Sequence, residues 1–321
     1  SIADENSFVR LITVLGVSDE MGKLMRFRPE LVEAAANDAC ESHLYNHEQR
    51  RAHVLKSVGA DPNDHTMPTA SLPLAEAATA LRKTYRKQLA AIMAQDATAN
   101  DPIEIQPRIS TELSDLADAA LEGALAIARH EVDGSEHVRF AIIGMGKLGA
   151  QELNYVSDVD LIYVVEPADM DTNGMALSRI GTKMATTLQR VCQSVIMGVA
   201  EPTLWQIDGG LRPEGKDGPL VRRLESHEAY YEQWAENWEF QALLKARPVA
   251  GDTDLGQAYM DMTRPFVWTA SKRDNFVYDC QQMRKRVEDL IPNPLKDREI
   301  KLGRGGLRDV EFTVQMLQLV H

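Results

Sequence analysis

The chain has 321 residues, 44% of them hydrophobic and 26% charged, with a formal net charge of −13. This length predicts two or three packed units with a sizeable core, and the negative charge argues against sequence-independent binding to nucleic acid, which Lys and Arg drive by neutralising phosphates. No segment approaches 18 apolar residues and the opening SIADENSFVRLITVLG lacks a basic n-region, so neither membrane spanning nor export is expected and a cytoplasmic location fits best.

Residues 1–134 read as a helical region. Phe8, Leu11, Ile12 and Leu15 keep helical spacing up to Gly16, and Ser18 precedes a short helix containing Met21, Leu24 and Met25. Cys40, Cys192 and Cys280 lie far apart without CxxC spacing or a neighbouring His, which indicates neither a disulfide framework nor a zinc site. Residues 58–73 are rich in turn formers and read as a loop. A helix over about 75–95 places Leu81, Tyr85, Leu89 and Ile92 on one side with Arg82, Lys83, Arg86 and Lys87 around them. Such a basic run is ordinarily a solvated face; the alternative is that Arg82 or Arg86 turns toward a bound phosphate. A further helix is predicted over 110–130, with Ser110 and Glu112 in capping positions and an apolar stripe that packs under a sheet.

The central unit, 135–225, holds the most informative stretch, Val138 to Val165: a buried strand (138–143), a glycine turn (Gly144, Gly146, Gly149) and a second strand carrying Asp158 and Asp160. Residues two apart on a strand face the same way, so the two carboxylates share one spot, and like charges held together call for a cation between them. Oxygen ligands of this kind suit Mg²⁺ or Mn²⁺, and a glycine turn beside them lets backbone N–H groups approach a phosphate. A helix from Met175 to about Met197 buries one face, including Val195. The run 203–208 (TLWQID) alternates like a strand and ends in Asp208, a third metal ligand if its strand lies beside the second.

From 226 to 321 the pattern is helical again. The aromatics Tyr230, Tyr231, Trp234, Trp238 and Phe240 read as a packed helix face rather than a base-stacking platform. Lys245 and Arg247 precede Pro248, a helix covers about 275–290, and residues 301–312 (KLGRGGLRDVEF) form a second glycine turn before a helix. That helix runs to His321 without a cap signal, which predicts a fragment of a longer protein.

Gly144-Met-Gly-Lys-Leu-Gly149 matches G-x-G-x-x-G, but only eight residues separate Gly149 from Asp158. A right-handed strand-helix-strand crossover needs roughly a dozen, so a Rossmann unit does not fit. Lys147 lacks the following Ser or Thr of a Walker A loop. A lone Asp-x-Asp is often only a strand-edge or capping pair. With the glycine turn upstream and Asp208 downstream, the constellation resembles the nucleotidyltransferase fold, an α+β arrangement of a small sheet with helices, here flanked by helical regions on both sides.

Longer matches are more specific. GMGKLGAQELNYVSDVDL (144–161), DGGLRPEGKDGPLV (208–221), WEFQALLKARPVAGD (238–252) and KLGRGGLRDVEF (301–312) resemble the bifunctional glutamine synthetase adenylyltransferase/adenylyl-removing family over nearly the whole chain. Glu152-Leu-Asn154 followed by Ser157-Asp-Val-Asp-Leu161 is similar to its N-terminal, adenylyl-removing half. One departure is Gly209-Gly210, where many relatives have a basic residue at the second position. The resemblance implies phosphorolysis of a tyrosyl–AMP bond on adenylylated glutamine synthetase, giving ADP, with a PII-type nitrogen signal protein as a further partner. It implies Asp158, Asp160 and Asp208 as catalytic metal ligands, and Gly144, Gly146, Lys147 and Ser157 around the nucleotide phosphate. Arg212, Lys245 and Arg247 are the candidate phosphate-binding bases, with Arg308 behind them. Adenylyl transfer from ATP, or a catalytically silent regulatory module, are the other readings left open.

Overall fold

The computed structural model describes residues 5–36, 46–169, 173–296 and 298–321, in which helices precede, interrupt and follow one small sheet. In chain order the elements are α1 (Glu5–Val17), α2 (Asp19–Phe27), α3 (Pro29–Ala36), α4 (His47–Ser57), α5 (Leu74–Ala97), α6 (Pro102–Glu131), β1 (Val138–Met145), the single turn α7 (Gly146–Gly149), β2 (Val159–Pro167) and α8 (Gly174–Gln193). There follow β3 (Ile207–Asp208), β4 (Val221–Arg222), α9 (Leu224–Gln233), α10 (Asn237–Leu243), β5 (Arg247–Gly251), α11 (Thr253–Thr269), α12 (Phe276–Asp289) and α13 (Leu307–Val320). Cys40 lies outside the described residues, while Cys192 and Cys280 are free and buried. Among the described residues no helix is long and apolar enough to cross a membrane.

The sheet has the order β3-β2-β1-β5, with β4 also paired to β2. Strand β1 is antiparallel to β2 and β5, and β2 is parallel to β3 and β4. This is the expected α+β architecture. Pro248, which has no N–H to donate, sits on the edge strand β5, where the ladder tolerates it.

Alternation along the strands assigns each face. Phe140 and Ile142 of β1 and Leu161, Tyr163 and Val165 of β2 join a core with Leu81, Leu116, Leu121, Met184 and Leu188 of the helices before and after. Ala141, Ile143 and Met145, with Ile162 and Val164, face the other way onto Tyr231, Phe240, Leu243, Leu255 and Tyr259. Both faces of the sheet are therefore covered, one by α5, α6 and α8 and the other by the C-terminal helices. Asp160 belongs by the same period of two to the side of Ile162 and Val164, so the carboxylate pair faces the C-terminal helices. A third cluster joins α1, α2 and α3 to the end of α5 through Val14, Leu31, Ala90 and Ala94.

Several expectations change. The helix predicted from 110 begins at Pro102, capped by Asp101, whose carboxylate accepts from the N–H groups of Ile103 and Glu104. Pro107 reads as a breaker but falls in the second turn, where few intrahelical bonds are lost, so the helix passes through it for about 45 Å. Ser110 and Glu112 are buried inside that helix rather than capping it, and Glu112 pairs with Arg50 at 3.0 Å.

Arg82 and Arg86 are neither solvated nor turned toward the acids. Arg82 is 1% exposed and donates to the carbonyls of Val191, Ser194 and Glu201, while Arg86 donates to Thr203 at 2.6 Å. Arg82 thus satisfies backbone carbonyls left open at the C-terminal end of α8, where a cation is favoured by the helix dipole. That helix stops at Gln193, and Val195, expected on its buried face, is 91% exposed. Of the predicted strand 203–208 only Ile207 and Asp208 pair. Tyr231 and Phe240 are packed as expected, but Trp234 is 74% exposed.

Candidate active site: acids and cations across one cavity

The glycine turn is locked by close approaches. A Cβ on Gly149 would fall 1.8 Å from the Lys245 carbonyl, and one on Gly144 would fall 2.6 Å from the Val249 side chain, so β5 lies against the turn only because both are glycine. Gly146 has φ +53, a conformation L side chains rarely adopt, and a Cβ there would meet Asp160 Oδ2 at 2.5 Å. The turn and the acid pair are therefore packed directly on each other.

Parallel pairing of β2 with β3 sets Asp160 opposite Asp208. Asp158, Asp160 and Asp208 line one cavity of about 330 Å³ together with Gly146, Lys147 and Ser157. The opposite wall comes from the C-terminal helices and the loop before α13: Trp238, Gln241, Lys245, Lys301, Arg308 and Phe312. Burial pushes the Asp160 carboxyl up to about 6, reinforced by the charges of Asp158 and Asp208 and opposed by Arg308 and Lys301.

An all-oxygen donor set whose central member is held above its ordinary range by burial and by two neighbouring like charges fits a hard divalent cation. Among the described residues the acid, His or Cys trio whose ligand atoms all lie within 4.8 Å of one another is His47, Asp115 and Asp118; Asp158, just before β2, with Asp160 and Asp208 forms a wider group. The His47 trio has a different explanation, because Asp118 is already held by Arg247 at 2.6 Å and His47 stands 3.6 Å from Asp115 as an ion pair.

The expected bases divide. Lys147 lines the cavity and reaches Asn154 at 3.3 Å; Ser157 donates to the Asp158 carbonyl at 2.8 Å. Lys245 bridges Glu152 and Glu311, both at 2.8 Å, and although burial lowers its pKa the two carboxylates more than compensate and raise it. Arg212 and Arg247 are not among the lining residues. Arg212 donates to the carbonyls of Gly209, Lys216 and Gly218 and so fastens its own loop. Arg247 pairs with Asp118 and donates to the carbonyls of Leu148 and Gly149, anchoring the glycine turn from behind. Trp238, read from the sequence as part of a packed helix face, lines the cavity instead; Lys301 and Gln241 were not singled out, and the only signal for Lys301 was its place in the glycine-rich 301–312 stretch.

Comparison with known proteins places the chain in a family. A family model described as GlnE, glutamate-ammonia ligase adenylyltransferase, matches residues 8–262, and one described as GlnD PII-uridylyltransferase matches residues 281–321. The chain is 81% identical over 320 residues to a bifunctional glutamine synthetase adenylyltransferase/adenylyl-removing enzyme of Bifidobacterium longum strain DJO10A, covering 100% of this chain and 30% of that relative. The enzyme of the same description from Cutibacterium acnes is 46% identical over 315 residues, 98% of this chain and 31% of its own length. The chain therefore spans about a third of the length of the curated relatives it matches. With a nucleotidyltransferase-like α+β sheet and a match that covers most of its length, the chain belongs to the glutamate-ammonia ligase adenylyltransferase family.

Proposed function

We propose that this chain removes AMP from adenylylated glutamine synthetase by metal-dependent phosphorolysis, releasing ADP and the unmodified tyrosine. The observation that carries this reading is the in-register pairing of Asp160 with Asp208, beside Asp158 and the glycine turn, on one wall of a cavity. The removing rather than the transferring direction rests on the likeness of Glu152-Leu-Asn154 and Ser157 to Leu161 to that half of the family. In this proposal residues 135–225 supply the acids, residues 226–321 supply the facing wall, and residues 1–134 support the sheet from behind.

Asp158, Asp160 and Asp208 would hold Mg²⁺ or Mn²⁺, which neutralises the charge that builds on the transferring phosphorus and steadies the departing phenolate. The chain's own groups do the positioning. Backbone at Gly146, with Lys147 and Ser157, cradles the α-phosphate, while Gly144, buried between β2 and β5, shapes the turn behind them. Trp238, Met283, Val287 and Phe312 present an apolar and aromatic surface of the kind that accepts a nucleobase. The facing helices narrow the water-filled space around the reacting atoms. No protein nucleophile is required, since phosphoryl chemistry depends mainly on placement and charge.

The reading fits a cytoplasmic enzyme that answers to nitrogen status through a PII-type protein. The direct test is ADP release from adenylylated glutamine synthetase by this chain, with and without inorganic phosphate. Phosphate-dependent ADP is the expected product. Release of AMP without phosphate, or incorporation of labelled AMP from ATP, would replace the proposal with hydrolysis or with forward transfer.

A further inference from the structure

Lys301 and Arg308 form a matched pair of cations facing the acids, and the loop between them holds them side by side. The Arg308 N–H donates to the Lys301 carbonyl at 2.9 Å and the Leu307 N–H to the Ile300 carbonyl at 2.9 Å. That closure depends on glycine: a Cβ on Gly303 would fall 2.1 Å from the Glu299 carbonyl and one on Gly306 would fall 2.3 Å from the Ile300 carbonyl, while Gly305 has φ +74. Arg284 fixes the loop by donating to the Gly303 carbonyl at 3.0 Å and pairing with Asp309. Like charges set next to each other on a braced loop repel unless an anion lies between them.

Of the other cations, Lys147 lines the cavity on the side of the glycine turn, where it stands 3.3 Å from Asn154, and the rest are engaged elsewhere. Lys245 is bridged by Glu152 and Glu311, Arg247 is held by Asp118, and Arg212 is occupied by loop carbonyls. Among the described residues the Lys301 ammonium has no ion pair, and Arg308 has one loose ion pair, 3.6 Å from Glu311, whose other oxygen already serves Lys245, with its guanidinium 5.8 Å from the centre of the Phe312 ring. Neither cation pairs directly with Asp158, Asp160 or Asp208, so both stay free when metal neutralises those acids.

We propose that Lys301 and Arg308 bind the attacking inorganic phosphate and, after reaction, the β-phosphate of ADP. This rests on the phosphorolytic reading above. An oxygen of HPO₄²⁻ forms the new bond to the α-phosphorus, and the bond from that phosphorus to the tyrosine oxygen breaks. The proton of the entering phosphate passes to the departing phenolate. The summed charge of minus three is the same before and after, and the entering phosphate becomes the β-phosphate without leaving its two cations.

Calorimetry with AMP and ADP at fixed Mg²⁺ reads this directly. The unaltered chain is expected to prefer ADP over AMP by about tenfold or more, the size of one charge-assisted contact. Lys301→Gln, whose side chain is exposed and leaves the fold alone, and the double variant Lys301→Gln/Arg308→Gln should lower ADP affinity to that of AMP while AMP affinity stays level. Arg308→Lys should restore part of the preference. In turnover of adenylylated glutamine synthetase, Lys301→Gln should raise the KM for phosphate about tenfold or more, with a smaller effect on kcat. An unchanged ADP-to-AMP ratio, or an unchanged KM for phosphate, overturns the assignment of this pair. Binding of neither nucleotide by the unaltered chain overturns the proposed function itself.

Discussion

Asp208 stands directly opposite Asp160 across a parallel pair of two-residue extent, although the two are 48 positions apart in the chain. The adjoining pair of the same ladder, Val159 with Ile207, packs into the core and holds them there. The pairing sets two carboxylates side by side at the mouth of a cavity, where a third, Asp158, joins them. Replacing Asp160 or Asp208 by Asn should abolish Mg²⁺ binding in calorimetry and lower metal-dependent turnover by about a hundredfold or more. Far-UV circular dichroism should be unchanged. A variant that keeps both metal binding and full turnover would remove these acids from the chemistry.

Gly146→Ala should injure the same site from the other side. The new methyl group would sit 2.5 Å from Asp160 Oδ2 at a positive φ. A backbone strain of about 1–2 kcal/mol is expected, together with weakened metal binding as Asp160 is pushed away. Gly174→Ala, with nothing within 4 Å of its Cβ position, serves as the control and should leave both quantities unaltered.

Arg247 is expected to matter for stability more than for contact with substrate. Its guanidinium compensates Asp118, whose side chain is fully buried and whose carboxyl burial pushes up to about 6 despite the Arg247 charge. Arg247→Met should cost on the order of 3–5 kcal/mol by leaving that acid unpaired. Asp118→Leu combined with Arg247→Met should recover much of the loss, which urea midpoints for the single and double variants will show. A loss in the double variant equal to the sum of the two single losses would contradict the pairing.

His227 gives the fold an acid limit. Its ring is packed between Tyr231 and Tyr259, and burial, with a contribution from Arg222, pushes its pKa down to about 3. The unfolded chain takes up the proton first, near the free value of 6.5. Stability is therefore fully present above that value and falls as pH drops from 6.5 toward 3, by up to about 1.4 kcal/mol per pH unit. His227→Phe should flatten the pH dependence of the urea midpoint by one proton between pH 6 and 4. Identical slopes for the two proteins would show that His227 takes up its proton while folded.

The β1, glycine turn and β2 unit was legible in the sequence because its signals are local: an apolar run, glycines at fixed offsets and two acids with a period of two. The neighbour of Asp160 was legible only conditionally, since whether Asp208 lies beside it depends on a strand pairing that no local pattern encodes. Arg82 and Arg86 misled for the opposite reason. A basic run on a helix looks the same whether it meets water or the carbonyl end of a distant helix, and α8 begins nearly ninety residues later. Lys301 escaped because an exposed lysine carries no pattern until a cavity is seen around it.

Strand β1 receives its two neighbours at very different times. The β2 side closes within about thirty residues, whereas β5 begins at Arg247, roughly a hundred residues after β1 begins. Until that late segment arrives from the ribosome, one rim of the hairpin exposes unpaired amide and carbonyl groups, the feature by which chains recruit one another into aggregates. Slow translation between residues 167 and 247 would lengthen that vulnerable interval, and the yield of soluble protein should respond to it.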